Sequence, residues 1–195
     1  MESATSSEDA LRLALDLTVS DPGLSAVADG HRRAIRDFLE DHGPVALTRR
    51  CSPGHLTASC LLWDAAGERV LLHHHRKLGL WLQFGGHCDG DGDVRAVALR
   101  ETHEESGIEA AWATPRPVDY DVHTIPARPA KGDRPAEPEH LHLDVRYLAV
   151  APPGAREALS EESLALAWLT PAEARSRGLD ESLERMLDLG PPSRR

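Results

Sequence analysis

Over the first 44 positions apolar residues recur at helical spacing. Leu11, Ala14 and Leu15 share one side of a short helix that Ser6 or Ser7 can cap, and Asp21-Pro22-Gly23 breaks it. A second helix is predicted from about Ser25, with Ile35, Phe38 and Leu39 as its apolar face and Gly43-Pro44 as its end. Arg32, Arg33 and Arg36 are placed on its exposed side, available for pairing with acids or for contact with a phosphate or a subunit partner.

From Leu56 the period shortens. LTASCLLW and RVLLHHH read as two strands joined by Asp64-Ala65-Ala66-Gly67, and Trp81-Leu82-Gln83-Phe84 as a third extended piece. A helix follows whose apolar stripe starts at Val94, Val97 and Ala98 and finishes at Glu101, Glu104 and Glu105, with Gly107 to end it. Later strands are predicted over 118–125, 141–151 and 165–169, then a terminal helix with Pro171 in its first turn and Leu183, Met186 and Leu187 on its apolar face. Strands interleaved with helices predict an α/β fold, an α/β/α sandwich on a mixed sheet. Residues 1–44 form an N-terminal helical extension, 45–190 the main domain and 191–195 a tail.

The glutamate-bearing stripe carries the candidate chemistry. At i, i+3 and i+4 the three side chains fall within an arc of about 100°. Like charges at that spacing repel, and anions near a helix C-terminus oppose the macrodipole by roughly 0.3–1 kcal/mol each. A hard divalent cation would offset both, because Mg²⁺ takes carboxylate, water and phosphate oxygens. The plain alternative is a solvated acidic helix end.

The loop before the helix favours the cation. Together GGHCDGDGDVRAVALRETHEESGI resembles the signature of the Nudix hydrolases, with Gly86, Arg100, Glu101, Glu104, Glu105, Gly107 and Ile108 in register. Two positions depart: the first Glu of the signature falls on Gly92, between Asp91 and Asp93, and Thr102 stands where an apolar residue is usual. The resemblance implies a metal-dependent hydrolase that cleaves a diphosphate linkage in a nucleoside diphosphate joined to another group. It implies Mg²⁺, with Mn²⁺ as an alternative, on Glu101, Glu104, Glu105 and the Gly85 carbonyl, and a catalytic role for Arg100 in fixing a glutamate. The general base is left between Glu101 and, in a later loop, Glu137 or Glu139. Substrate contacts are assigned to Gly86, His87, His142, Arg128 and Lys131.

Two rival readings stay open. An isopentenyl-diphosphate-isomerase-like enzyme shares the Gly86-His87 pair but would need a cysteine where Gly85 stands. A Nudix-like ligand-binding or regulatory domain with reduced chemistry would explain Gly92 but leave the crowded acids unexplained.

Composition narrows the setting. A net charge of −10 opposes broad nucleic-acid or anionic-membrane binding, and no apolar run could span a bilayer. Cys51, Cys60 and Cys88 form no metal-type pair, and no basic-then-apolar leader pattern opens the sequence, so a reducing cytoplasm is expected. A homodimer through the N-terminal helices is a family expectation. Four prolines between Ile125 and His140 predict a long stiff loop carrying Arg128, Lys131 and Arg134. Trp63, Trp81, Trp112 and Tyr120 are candidates for base stacking, each weighed against a place in the core. Of the eleven histidines, His73, His75, His87, His123, His140 and His142 lie on strands or beside the glycine loop, as packing, substrate contacts or a second metal site for Zn²⁺ or Mn²⁺.

Overall fold

The computed structural model describes residues 6–130, 132 and 135–192; Lys131 and Arg134, expected to meet phosphate, lie outside the described residues. The elements run α1 (Ser7–Leu17), α2 (Ala26–His42), β1 (Gly54–Trp63), β2 (Val70–His75), β3 (Trp81–Leu82), β4 (Phe84–His87), α3 (Val94–Ser106), β5 (Trp112–Ala113), β6 (Asp119–Ile125), β7 (His140–Val150), β8 (Ser163–Leu169), α4 (Pro171–Arg175) and α5 (Glu181–Asp188). The strands pair in the order β3-β2-β1-β7-β5, with β4 on β1, β6 on β7 and β8 on β2. Every residue of β1 is buried, which accounts for its run of small and apolar side chains.

The chain forms two compact units. One is made of the described residues within Met1–Ala58, His87–Val94 and Tyr120–Val145. Here Ser6 and Ser25 cap α1 and α2 through their hydroxyls, and Ala10, Ala14, Ala28, Ile35 and Leu39 are the buried apolar helix positions. Arg32 departs from expectation. It is 7% exposed rather than on the solvent face, with Nη1 donating to the Thr18 carbonyl at 2.6 Å and Nε to Asp29 at 2.8 Å. Its guanidinium thereby satisfies the carbonyl that α1 leaves open at its end. Arg33 and Arg36 do lie outward, paired with Asp29 and Glu40.

Gly92 belongs to the same unit and is buried. A Cβ built on it would fall on the backbone of Ala10, so α1 occupies the space a side chain there would need. The missing signature glutamate thus has a packing cause.

The other unit is made of the described residues within Ser59–Gly86, Arg95–Asp119 and Arg146–Arg195. Leu61, Trp63, Val70, Leu72, Leu148, Leu169, Ala174, Leu183, Met186 and Leu187 form its apolar cluster. The single predicted terminal helix is two: a complete capping box of Thr170 and Glu173 starts α4, Gly178 at φ 74° follows it, and Asp180 caps α5. Asp119, at the start of β6, accepts from Nε and Nη2 of Arg185, each at 3.0 Å, and tethers α5. Strand β5, two residues long, carried no periodic signal and escapes the sequence reading. Within the proline-rich segment Arg128 and Glu137 form an antiparallel bridge.

Because the obstacle at Gly92 is backbone, Gly92→Ala should destabilise the chain by about 1–3 kcal/mol, the usual range for overpacking. Thermal unfolding should show this as a midpoint several degrees lower; an unchanged midpoint would mean that α1 does not rest on Gly92.

Candidate functional site

The acidic site is built within the second unit, where Gly85 and Gly86 of β4 meet the last turns of α3. Val97 and Ala98 bury the first part of the α3 stripe, and Thr102, fully buried, satisfies its hydroxyl on the Ala98 carbonyl at 2.7 Å. That bond explains how a threonine replaces an apolar residue at this point. Gly107, at φ 72°, closes the helix by donating its N–H to the His103 carbonyl at 2.8 Å.

The stripe presents its glutamates at three depths. Glu104 is exposed, Glu101 half-buried and Glu105 only 8% exposed. Glu105 Oε2 accepts the Gly85 N–H at 3.1 Å, which ties the helix to the strand edge. Burial pushes the Glu105 carboxyl up to about 8; the Gly85 N–H opposes that rise, while Glu162, Glu101 and Glu104 add to it by repulsion. Arg100 Nη2 lies 3.7 Å from Glu101 Oε1, the helix-glutamate partner its sequence position suggested. A Cβ on Gly86 would run into the Glu101 carboxylate, so the second glycine lets backbone and acid sit together.

Glu162 is a fourth acid of this cluster that sequence reasoning missed. It sits in the turn before β8, with its carbonyl accepting the Arg76 N–H at 2.9 Å. Glu161-Glu162 reads as an ordinary acidic pair in sequence, and only the pairing of β8 with β2 brings it here. The donor set is all oxygen, crowded, and anchored on backbone, which fits a hard divalent cation.

The remaining predicted residues are placed elsewhere. Arg128 is committed to Glu137, Nη2 to Oε2 at 2.6 Å. That ion pair also holds one of the two loop glutamates named as an alternative base. His87 and His142 lie in the first unit with ring centroids 5.0 Å apart, and His55 is 4.9 Å from His87 and 5.0 Å from His142. His55 was missed. The alternation of His55, Thr57 and Ser59 along β1, matched by His140, His142 and Asp144 on β7, was the available signal, and Thr57 Oγ1 does donate to Asp144 Oδ1 at 3.1 Å. His73 and His75 belong to the other unit, where His73 Nδ1 pairs with Ser163 Oγ at 2.9 Å. Trp63 and Tyr120 are core residues, whereas Trp81 is half-buried, stacks on His74 and carries Arg177 4.9 Å above its ring. All three cysteines are buried and outside any disulfide.

An α/β chain that gathers carboxylates from one helix end beside a glycine-edged strand has the plan of a pyrophosphohydrolase. The profile of the NUDIX domain matches residues 53–189, and the chain belongs to that family of hydrolases. Its fold is shared with a Caenorhabditis elegans Ap4A hydrolase in a binary complex, at 22% identity and TM-score 0.50, over 68% of this chain and 92% of that one. The NUDIX domain of Shewanella oneidensis NrtR, complexed with ADP ribose, matches at 17% identity and TM-score 0.51 over 78% of this chain and 94% of its own. The Escherichia coli dihydroneopterin triphosphate pyrophosphohydrolase gives 15% identity and TM-score 0.52 over 69% and 92%. No curated protein is significantly similar in sequence. No described helix is long and apolar enough to cross a membrane.

The raised carboxyl of Glu105 has a thermodynamic signature in chelator-treated protein. Between the ordinary carboxylate value and about 8, the unfolded chain releases a proton that the folded chain keeps, so stability is full at acid pH and falls as pH rises through that window. Glu105→Gln should abolish the fall and be more stable than wild type above pH ~8 by roughly 1–4 kcal/mol, one pKa unit being about 1.4 kcal/mol. Urea denaturation across pH measures it; a wild-type curve that stays level through the window would show that Glu105 is charged in the fold.

Proposed function

We propose that the chain hydrolyses a diphosphate linkage in a nucleoside diphosphate joined to a second group, using Mg²⁺ or Mn²⁺ held by Glu101, Glu104 and Glu105 with the Gly85 carbonyl. The observation that carries this reading is the buried Glu105 carboxylate, tied to the Gly85 N–H among Glu101, Glu104 and Glu162. Such a group is costly without a cation and well placed with one. When bound, the cation supplies charge neutralisation of the phosphoryl oxygens and acidifies an attacking water.

The chain's own residues supply the rest. Gly85 and Gly86 let a phosphate approach the backbone where a Cβ would obstruct. Arg100 restrains the Glu101 rotamer, a positioning role. Glu101, half-buried and beside Gly86, accepts the proton of the attacking water. Ap4A and dihydroneopterin triphosphate, named for two proteins of this fold, and the ADP ribose bound to a third are all phosphoanhydrides, which supports the substrate class. In this reading residues 1–44 are an extension to a catalytic domain over 45–190, with 191–195 a tail. Its helices form the homodimer face, and the enzyme works in the cytoplasm.

Cleavage of a panel of nucleoside diphosphate sugars, dinucleoside polyphosphates, nucleoside triphosphates and coenzymes, with products identified by mass, tests the proposal. One class should be cut at the diphosphate only with Mg²⁺ or Mn²⁺ present. Glu104→Gln and Glu105→Gln should each lower kcat/KM by at least about 100-fold, or about 2.7 kcal/mol of transition-state stabilisation. Ligand binding with no change of mass would replace the hydrolase by the regulatory-domain reading, and an isomeric product would point to the isomerase.

A further inference from the structure

The first unit contains a second concentration of ligand atoms, made entirely of residues the acidic site does not use. His55, His87, His123, His140 and His142 form one cluster, each within 5.5 Å of another ring centroid. Two of the five are engaged at their Nδ1 atoms. His140 pairs with the Pro138 carbonyl and His123 with Asp121 Oδ2, both at 2.9 Å. The three others differ: one ligand nitrogen from each of His55, His87 and His142 can be chosen so that all lie within 4.8 Å of one another.

His55 is the least explained. It is 4% exposed, and neither ring nitrogen has a partner at hydrogen-bond geometry, although the Cys51 backbone lies beside the ring. Buried imidazole nitrogens ordinarily find a partner, because leaving them unmet costs their hydration without return. Asp89, the acid nearest His55 and His87 in effect, is itself committed to Arg49 through two contacts of 3.1 and 3.2 Å. The rings of His55, His87 and His142 therefore have lone pairs to offer, and the acids of the cluster lie against the two outer rings, Asp121 on His123 and Glu137 4.0 Å from His140.

We propose that His55, His87 and His142 form a three-imidazole site for a divalent transition metal ion of the zinc class, with an open position for water or a ligand. Imidazole nitrogens suit zinc, cobalt and iron, whereas Mg²⁺ prefers oxygen, so the donor sets of the two sites select different ions. Tetrahedral coordination at 2.0–2.1 Å sets nitrogens about 3.4 Å apart, and small ring rotations close the remaining gap. His140 and His123, already bonded elsewhere, pack around the site as its wall. The site depends on none of the α3 carboxylates, so it stands whether or not diphosphate cleavage does.

The test uses the full chain, stripped with chelator and dialysed, then titrated with Co²⁺ while its visible absorption is followed, and with Zn²⁺ by competition. With excess Mg²⁺ present to fill the acidic site, one equivalent of Co²⁺ should bind with the visible bands of a low-coordinate nitrogen site and no thiolate charge transfer. His142→Asn and His87→Asn should weaken binding at least ~100-fold, since even partners of a ligating histidine are worth 10–100-fold. Glu104→Gln and Glu105→Gln should leave it unchanged. Absence of stoichiometric binding by wild type would overturn the proposal, as would a thiolate band, which would place Cys51 or Cys88 among the ligands. So would Co²⁺ affinity lost with the glutamates or kept in a folded His142→Asn chain. Wild-type stoichiometry and spectrum decide the matter even where a histidine variant fails to fold.

Discussion

A single hydrogen bond, from the Gly85 N–H to the buried carboxylate of Glu105, sets the relation between the strand edge and the helix on which the acidic site depends. It is unusual because both ends pull against it. The carboxylate is desolvated and surrounded by acids, while the donor that supports it is a neutral backbone N–H worth about 1.5–3 kcal/mol when the acceptor is charged. The fold tolerates this because the rest of α3 is secured independently: Val97 and Ala98 are buried, Thr102 answers the Ala98 carbonyl, and Gly107 terminates the helix in a conformation few other residues adopt. Apolar packing fixes the helix, and the helix then holds the acids where they would not gather by themselves.

How much of this was legible follows from the range of the forces involved. The helices, the long strands and the glutamate face are written in periodicity and caps, which act over a few residues, and the sequence reading placed them within a few positions. Thr102 and Gly107 were equally local. Glu162, Arg32 and His55 were not, because each acquires its role from partners distant in sequence: the Glu105 cluster for Glu162, the Thr18 carbonyl for Arg32, the rings of His87 and His142 for His55. A histidine at the start of an apolar strand and an arginine on an amphipathic helix look ordinary until the chain closes. The division of the last helix into α4 and α5 is local, written in Gly178 and the Asp180 cap.

Gly92 shows how a departure from a family pattern can mislead when read without its surroundings. In sequence it is a lost carboxylate, and a lost carboxylate suggests lost chemistry. In the fold, α1 lies where any side chain at 92 would go, its Ala10 backbone standing against the glycine. Accommodating that helix and keeping an acid at 92 are mutually exclusive, so the substitution follows from the N-terminal helix whatever the chain catalyses. The helix carboxylates survive in full, and Glu162 adds negative charge to them from a different part of the chain. A domain retained only to bind a ligand would gain nothing from that crowding and would bear its electrostatic cost. The packing at Gly92 therefore removes the main argument for a chain without chemistry, and the persistence of the costly acids supports one that uses them.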